Sequence, residues 1–173
     1  MVKVAVIGNA GGGKSTMARA LAAARHLPYH AVDTLQWRPS WTPVPEDEFT
    51  QAHEAILATE RWIIDGWGPR AAIEKRLDQA DTIIFVDHPL WVHFWWAAER
   101  QMACVTGERP DSPEGCPMLP MTKQLFEMIW DIHQEARPWL LAMIERRRAT
   151  TTIIHIQSPE ELDRFVADTC HAT

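Results

Sequence analysis

Gly8-Asn9-Ala10-Gly11-Gly12-Gly13-Lys14-Ser15 is the stretch that decides the architecture of this chain. Ahead of it, Val2-Lys3-Val4-Ala5-Val6-Ile7 reads as a strand buried on both faces. Behind it, Lys14 to Arg25 reads as a helix, with Ala18, Leu21, Ala22 and Arg25 at helical spacing. A glycine-rich turn from a parallel strand into a helix N-terminus points successive backbone N–H groups at a di- or triphosphate. Lys14 is then expected to reach the β- and γ-phosphates, and Ser15 to offer its hydroxyl to Mg²⁺. Gly8, Asn9, Ala10, Gly11, Gly12, Gly13, Lys14, Ser15 and Thr16 are the expected phosphate cradle, a Walker-A form, and imply binding of a nucleoside triphosphate.

Working outward, four more short β-branched runs follow: Tyr29–Val32, Trp62–Ile64, Thr82–Val86 and Thr151–Ile156. Segments of helical character separate them, which predicts an α/β fold with a parallel sheet and helices on both faces. Phe49, Ala52, His53, Ile56 and Leu57 carry one such helix after Pro45. A long helical pattern spans about Thr122 to Arg148, with Pro138 expected to kink or break it near Arg137. Arg146-Arg147-Arg148 reads as a cationic helix end. Ser158-Pro159-Glu160-Glu161 is a helix-start pattern. Two proline-rich stretches, Arg38 to Pro45 and Thr106 to Pro120, are loop-like and long enough to be functional. The second follows Glu99-Arg100 and contains Arg109, as an arginine-bearing lid over a transferring phosphoryl group would.

The 173 residues suffice for one domain with a sizeable core. A formal net charge of −6 argues against direct DNA binding. No secretory leader and no membrane-length apolar run is visible, and the three cysteines lack C-x-x-C spacing, so a reducing cytoplasm is expected.

In an open parallel sheet, ligands sit beyond the carboxyl ends of the strands. Asp33, Asp65 and Asp87 all fall there. A carboxylate at that edge can hold Mg²⁺ through water or accept a proton from a hydroxyl. Asp65 and Asp33 rank above Asp87, which sits at the end of the fourth run. Arg70, just past Asp65-Gly66, is a candidate for an anionic group on the acceptor. Trp37, Trp41 and Trp67 fall in loops at the same edge and could stack on a flat acceptor, whereas Trp91, Trp95 and Trp96 are read as packing residues. The histidines at 30, 88, 93, 133 and 155 show no spacing that compels a metal site.

These segments together resemble the small FlaR-like kinases labelled DNA topology modulation proteins, relatives of adenylate and shikimate kinases. The matching stretches are Ile7 to Thr16, Val32-Asp33-Thr34-Leu35-Gln36-Trp37-Arg38-Pro39-Ser40-Trp41, Arg61 to Gly66, Ala80 to Asp87 and Arg109-Pro110-Asp111-Ser112-Pro113-Glu114-Gly115-Cys116-Pro117. The resemblance implies a single nucleoside-monophosphate-kinase-like P-loop domain over 1–173, three-layer α/β/α with a five-stranded parallel sheet. It implies an acceptor-binding arm at about 34–61 and a lid at about 100–120.

It further implies ATP and Mg²⁺ as cofactors, with Ser15 and Asp65 serving the metal and Ser158 beside the adenine ring. Lys14, Asp33, Asp65, Arg100 and Arg109 would be catalytic. Asp33, Trp37, Arg38, Trp67, Arg70 and Arg137 would form the acceptor site. Asp65-Gly66 with Arg70 resembles the Asp-Gly-Phe-Pro-Arg segment of adenylate kinases, with Gly68 as one residue extra. Two departures from the FlaR-like pattern touch these sites: Trp95-Trp96 stands in a stretch usually rich in arginine, and Trp67-Gly68 where Asn-Tyr is usual.

The leading expectation is therefore a phosphotransferase moving the γ-phosphoryl of Mg·ATP to a nucleoside monophosphate or a similar nucleotide-like or hydroxyl metabolite, acting as monomer or homodimer. The alternative is a nucleotide-dependent regulatory protein, associated with DNA topology, with weak ATPase activity.

Overall fold

The computed structural model describes residues 1–106 and 113–171. β1 (Lys3–Gly8), β2 (Tyr29–Ala31), β5 (Trp62–Asp65), β6 (Thr82–Val86) and β7 (Thr152–Ile156) form one sheet in the order β2-β5-β1-β6-β7, every pair parallel. The helices are α1 (Lys14–Arg25), α2 (Val32–Gln36), α3 (Glu46–Leu57), α4 (Arg70–Gln79), α5 (Leu90–Thr106), α6 (Thr122–Asp131), α7 (Arg137–Glu145) and α8 (Pro159–His171).

Strand alternation divides the core. Val4, Val6, Ile63, Ile84 and Val86 turn to one face, where Met17, Leu21 and Leu162 from α1 and α8 cover them. Ala5, Ile7, Ile64, Ile83 and Phe85 turn to the other, under Phe49, Leu57, Ile73, Leu77 and Leu140 from α3, α4 and α7. Because both faces of the central strands β5, β1 and β6 are covered, they are buried nearly throughout and read as apolar runs, whereas the edge strands β2 and β7 are only partly covered. The chain leaves β1 for the far edge, returns through β5, and crosses to β6 on the other side. The order therefore reverses at the carboxyl end of β1, where the Gly8–Ser15 loop emerges.

The long helical pattern is split in three. Pro138 offers no N–H to the preceding turn, and the ladder widens into a π-helical turn over Ile132–Ala136 between α6 and α7. α7 stops at Glu145, and the arginines beyond it close the end: Arg147 donates to the Met143 carbonyl (2.7 Å) and pairs with Asp78. The first proline-rich loop contains a small antiparallel hairpin, β3 (Trp37–Arg38) with β4 (Thr42–Pro43), around a 3₁₀ turn. One expectation is overturned: Trp91 and Trp95 do not pack but stand exposed on the outer face of α5, while Trp96 packs inward. No helix among the described residues is long and apolar enough to cross a membrane.

Candidate phosphate-binding and acceptor site

The loop after β1 is shaped by its neighbours as much as by its glycines. Gly11 (φ 68°) and Gly13 (φ 73°) are in left-handed conformations that an L side chain rarely adopts. A Cβ on Gly11 would run into the His93 carbonyl, and one on Gly13 would lie 2.9 Å from Leu162 and 3.2 Å from Trp96. Asn9, buried, donates from Nδ2 to the Ile129 carbonyl of α6 (2.8 Å) and accepts the Ala10 N–H on Oδ1 (2.8 Å). His93 Nδ1 lies 2.9 Å from the Ala10 carbonyl. α5 and α6 thus clamp the loop from one side, leaving the N-terminus of α1, with Ser15 and Thr16, on the other.

Lys14 curls back so that Nζ donates to the Asn9 carbonyl (2.6 Å). Burial pulls the Lys14 ammonium below its ordinary value, Asp65 and then Asp33 push it up, and Arg100 adds to the lowering. Four predicted residues therefore share one field. Asp33 opens to solvent, yet the surrounding walls raise its carboxyl, with Asp65 adding and Lys14 and Arg100 opposing.

Asp65 is deeply buried, 2% exposed. Its Oδ2 accepts from the Tyr29 hydroxyl (3.1 Å), which also lies beside Ser15. Oδ1 is buried with no partner among the described residues. An orphaned carboxylate oxygen, linked through one tyrosine hydroxyl to the serine of a phosphate loop, fits a hydrated Mg²⁺. No group of three His, Cys, Asp or Glu suited to a metal occurs among the described residues, and an ion held mainly by phosphate and water does not need one. Beneath Asp65, buried Arg76 donates to the Gly66 carbonyl (2.8 Å); burial lowers its pKa to about 10, against the pull of Asp65.

Beside the loop, a small cavity of about 10 Å³ lies between Gly8, Asn9, Trp67, Asp87, His93, Ile132, His133 and Arg137. Trp67 is partly buried along it. The arginines expected there are engaged in other contacts. Arg38 is exposed and pairs with Glu48 on α3. Arg70 lies over the Trp139 ring, 5.2 Å from its centroid. Arg137 lies at the cavity but is clamped on Asp87 by Nε (2.6 Å) and Nη2 (2.9 Å). His155 Nε2 adds a third contact to Asp87 at 3.0 Å, so both oxygens of that carboxylate are bonded.

Trp37 meets Trp41 edge-on, 5.7 Å between centroids. Trp41 Nε1 in turn donates to the Pro117 carbonyl (2.8 Å), and Ser40 N–H to Gly115 (2.8 Å), so the hairpin tip leans on segment 113–118. Ser158 caps α8, its Oγ accepting the Glu161 N–H (3.2 Å). Arg109 lies outside the described residues.

Sequence reading missed Tyr29, Arg76, His93 and the Asp87–Arg137–His155 cluster. Tyr29 and Asp65 are 36 residues apart, His93 and Ala10 83, and Asp87 and Arg137 50; Arg76 and Gly66 are ten apart, and no local pattern marks any of them.

No family model matches the chain, and no curated protein matches it by sequence. Among solved structures, a sugar kinase from Janibacter sp. is similar over 97% of this chain and 91% of its own, with a TM-score of 0.51 at 13% identity. Shikimate kinase from Aquifex aeolicus is similar over 95% and 91%, with a TM-score of 0.50 at 17% identity. A Chloroflexus aurantiacus protein assigned provisionally to the kinases aligns over 100% of both chains, with a TM-score of 0.53 at 14% identity. The fold is that of the P-loop kinases. In this P-loop kinase fold, the carboxyl ends of β2 and β5 bring Asp33 and Asp65 to the phosphate loop, as the register Ala31↔Asp65 requires.

Proposed function

We propose that the chain is a small-molecule kinase that transfers the γ-phosphoryl of Mg·ATP to a hydroxyl of a small acceptor. The observation that carries this reading is that Lys14, at the start of α1, and Asp33 and Asp65, at the paired ends of β2 and β5, lie close enough to act on one another's charge, with Arg100 in the same field. Loop N–H groups and Lys14 would hold the β- and γ-phosphates, Lys14 exchanging the Asn9 carbonyl for phosphate oxygen. Mg²⁺, held by Ser15 and through water by Asp65, would supply charge neutralisation on the phosphates.

Asp33 would accept the proton of the attacking hydroxyl as the new P–O bond forms and ADP departs. Its raised pKa suits a group that takes a proton and later releases it. Arg100, and Arg109 from the lid, would compensate charge on the transferring group. Ser158 would border the adenine. Within this reading we group the chain with the FlaR-like kinases, on its sequence segments.

Arg38, Arg70 and Arg137, the expected holders of an acceptor phosphate, are each engaged by Glu48, Trp139 or Asp87. A hydroxylated metabolite is therefore favoured over a nucleoside monophosphate, with Trp67 and Trp37 as flat walls. The test is ADP release from Mg·ATP across a panel of polyols, hydroxy acids, nucleosides and nucleoside monophosphates. A marked rise with one hydroxylated metabolite is expected. Equal, slow hydrolysis with every compound would overturn the kinase reading in favour of a nucleotide-dependent binding protein.

A further inference from the structure

The outer face of α5 is apolar from end to end. Trp91, Trp95, Met102 and Val105 are 68, 61, 72 and 71% exposed. With Ala98 they recur at alternating steps of four and three residues, the spacing of a helix–helix seam. Glu99 is the sole exposed charged side chain on this helix and lies to one flank. Trp130 of α6, 51% exposed, extends the face beside the stacked Phe94 and Phe126 rings, with Glu127 and Asp131 as its acidic rim. A helix face meant for water carries charge, and monomers rarely expose a contiguous patch of this kind.

The stripe is complementary to itself. Turned end for end about an axis at Ala98, it brings Trp91 against Val105 and Trp95 against Met102, large side chain against smaller at each layer. Ala98 meets its own copy, and a residue that small lets two helices approach to about 8–10 Å between axes. A parallel pairing would instead set Trp on Trp at one end and leave a gap at Val105. The area is adequate as well. At about 250 Å² for a full tryptophan, the exposed parts of these five side chains come to roughly 600 Å² per chain. Two copies would bury about 1,200 Å², enough for a stable interface.

We propose that the outer face of α5 is a homodimer interface, across which a second copy of this chain packs antiparallel about a two-fold axis at Ala98. The opposite face of the same helix holds the phosphate loop through His93 and Ala97, so the dimer would brace the helix that shapes that loop.

The mass of the full chain by light scattering across the micromolar range tests this. Twice 19.8 kDa is expected for the parent. Trp91→Glu combined with Trp95→Glu should halve that mass and leave the circular dichroism spectrum unchanged, since both side chains are already exposed in the single chain. Independently, Ala98→Cys should form a disulfide with its own counterpart under mild oxidation, mapped by mass spectrometry. A monomeric parent at high micromolar concentration overturns the proposal, including one that binds lipid vesicles or a different protein through this face. So does an undiminished mass for the double variant.

Discussion

Arg137 grips Asp87 with two nitrogens, at 2.6 and 2.9 Å, at the point where the π turn hands over to α7. The Asp87 side chain is 4% exposed and Arg137 37% exposed, so one partner depends on the other for its burial. Removing the guanidinium leaves a buried carboxylate with only His155 to answer it. Arg137→Met is expected to cost about 1–3 kcal/mol, below the full cost of breaking a buried pair because water reaches the arginine. Asp87→Asn in the same chain should restore part of the loss. Urea midpoints of the two single variants and the double variant check this, and additive losses would mean that the pair is not coupled.

Lys14 now donates to the Asn9 carbonyl, and its proposed work begins when phosphate takes that place. Lys14→Ala is expected to lower acceptor-dependent ADP release by about 10²–10³-fold, the scale of losing one aligned charge at a transferring group. Lys14→Arg should not rescue it, because a planar fork cannot replace a point charge inside the loop. Coupled-assay kcat and KM for Mg·ATP measure both. An unchanged rate in Lys14→Ala would remove the phosphate loop from the reaction.

The elements legible in sequence were those fixed by local chemistry. The central strands β5, β1 and β6 read as apolar runs because both faces are covered, the edge strands β2 and β7 carry His30 and His155 where cover is partial, and the Gly8–Ser15 loop announces its own left-handed turns. Pro138 foretold a break but not its form, since a π turn depends on how α6 and α7 each seat on the core. Trp91 and Trp95 misled because a tryptophan is ordinarily worth most when buried, and exposure is decided by what stands opposite. The site was legible as far as strand ends project: Asp33 and Asp65 follow from the position of β2 and β5. What holds them is less legible: Tyr29 meets Asp65 only because the sheet pairs β2 with β5, and Arg76 reaches the Gly66 carbonyl across the turn into α4, a local contact that no sequence pattern marks.

Tyr29 is the single tyrosine of the chain, and its hydroxyl fixes one oxygen of Asp65 while leaving the other orphaned. Burial, and next the Asp65 charge, keep the phenol protonated and donating. Tyr29→Phe frees Asp65 to turn, and should raise the Mg²⁺ concentration for half-maximal rate severalfold, with a stability loss of about 1 kcal/mol. The maximal rate at saturating Mg²⁺ should change less. A titration of rate against Mg²⁺ at fixed ATP separates these, and an unshifted curve would show that Asp65 needs no such anchor.

His93 and His53 are held neutral by burial and weaken the fold toward acid. Burial, and then the Lys14 charge, bring His93 down to about 4, with the Ala10 carbonyl opposing; burial and then Arg76 bring His53 to about 4. Both are neutral in the folded chain, while in the unfolded chain each takes a proton near pH 6.5. Between those values the unfolded state binds more protons, so stability is full above about pH 6.5 and falls as pH drops toward 4. The ceiling for each histidine is about 3 kcal/mol, from roughly 1.4 kcal/mol per pKa unit. Asp33, raised in the fold, acts in the opposite sense at the acid end. His30 and His88 are lowered by burial as well, so His93→Gln, which can keep a hydrogen bond to the Ala10 carbonyl, removes the His93 share alone. Urea unfolding of parent and variant at several pH values from 4 to 7 should show a shallower loss in the variant. Parallel curves would mean that His93 is not held neutral beneath the phosphate loop.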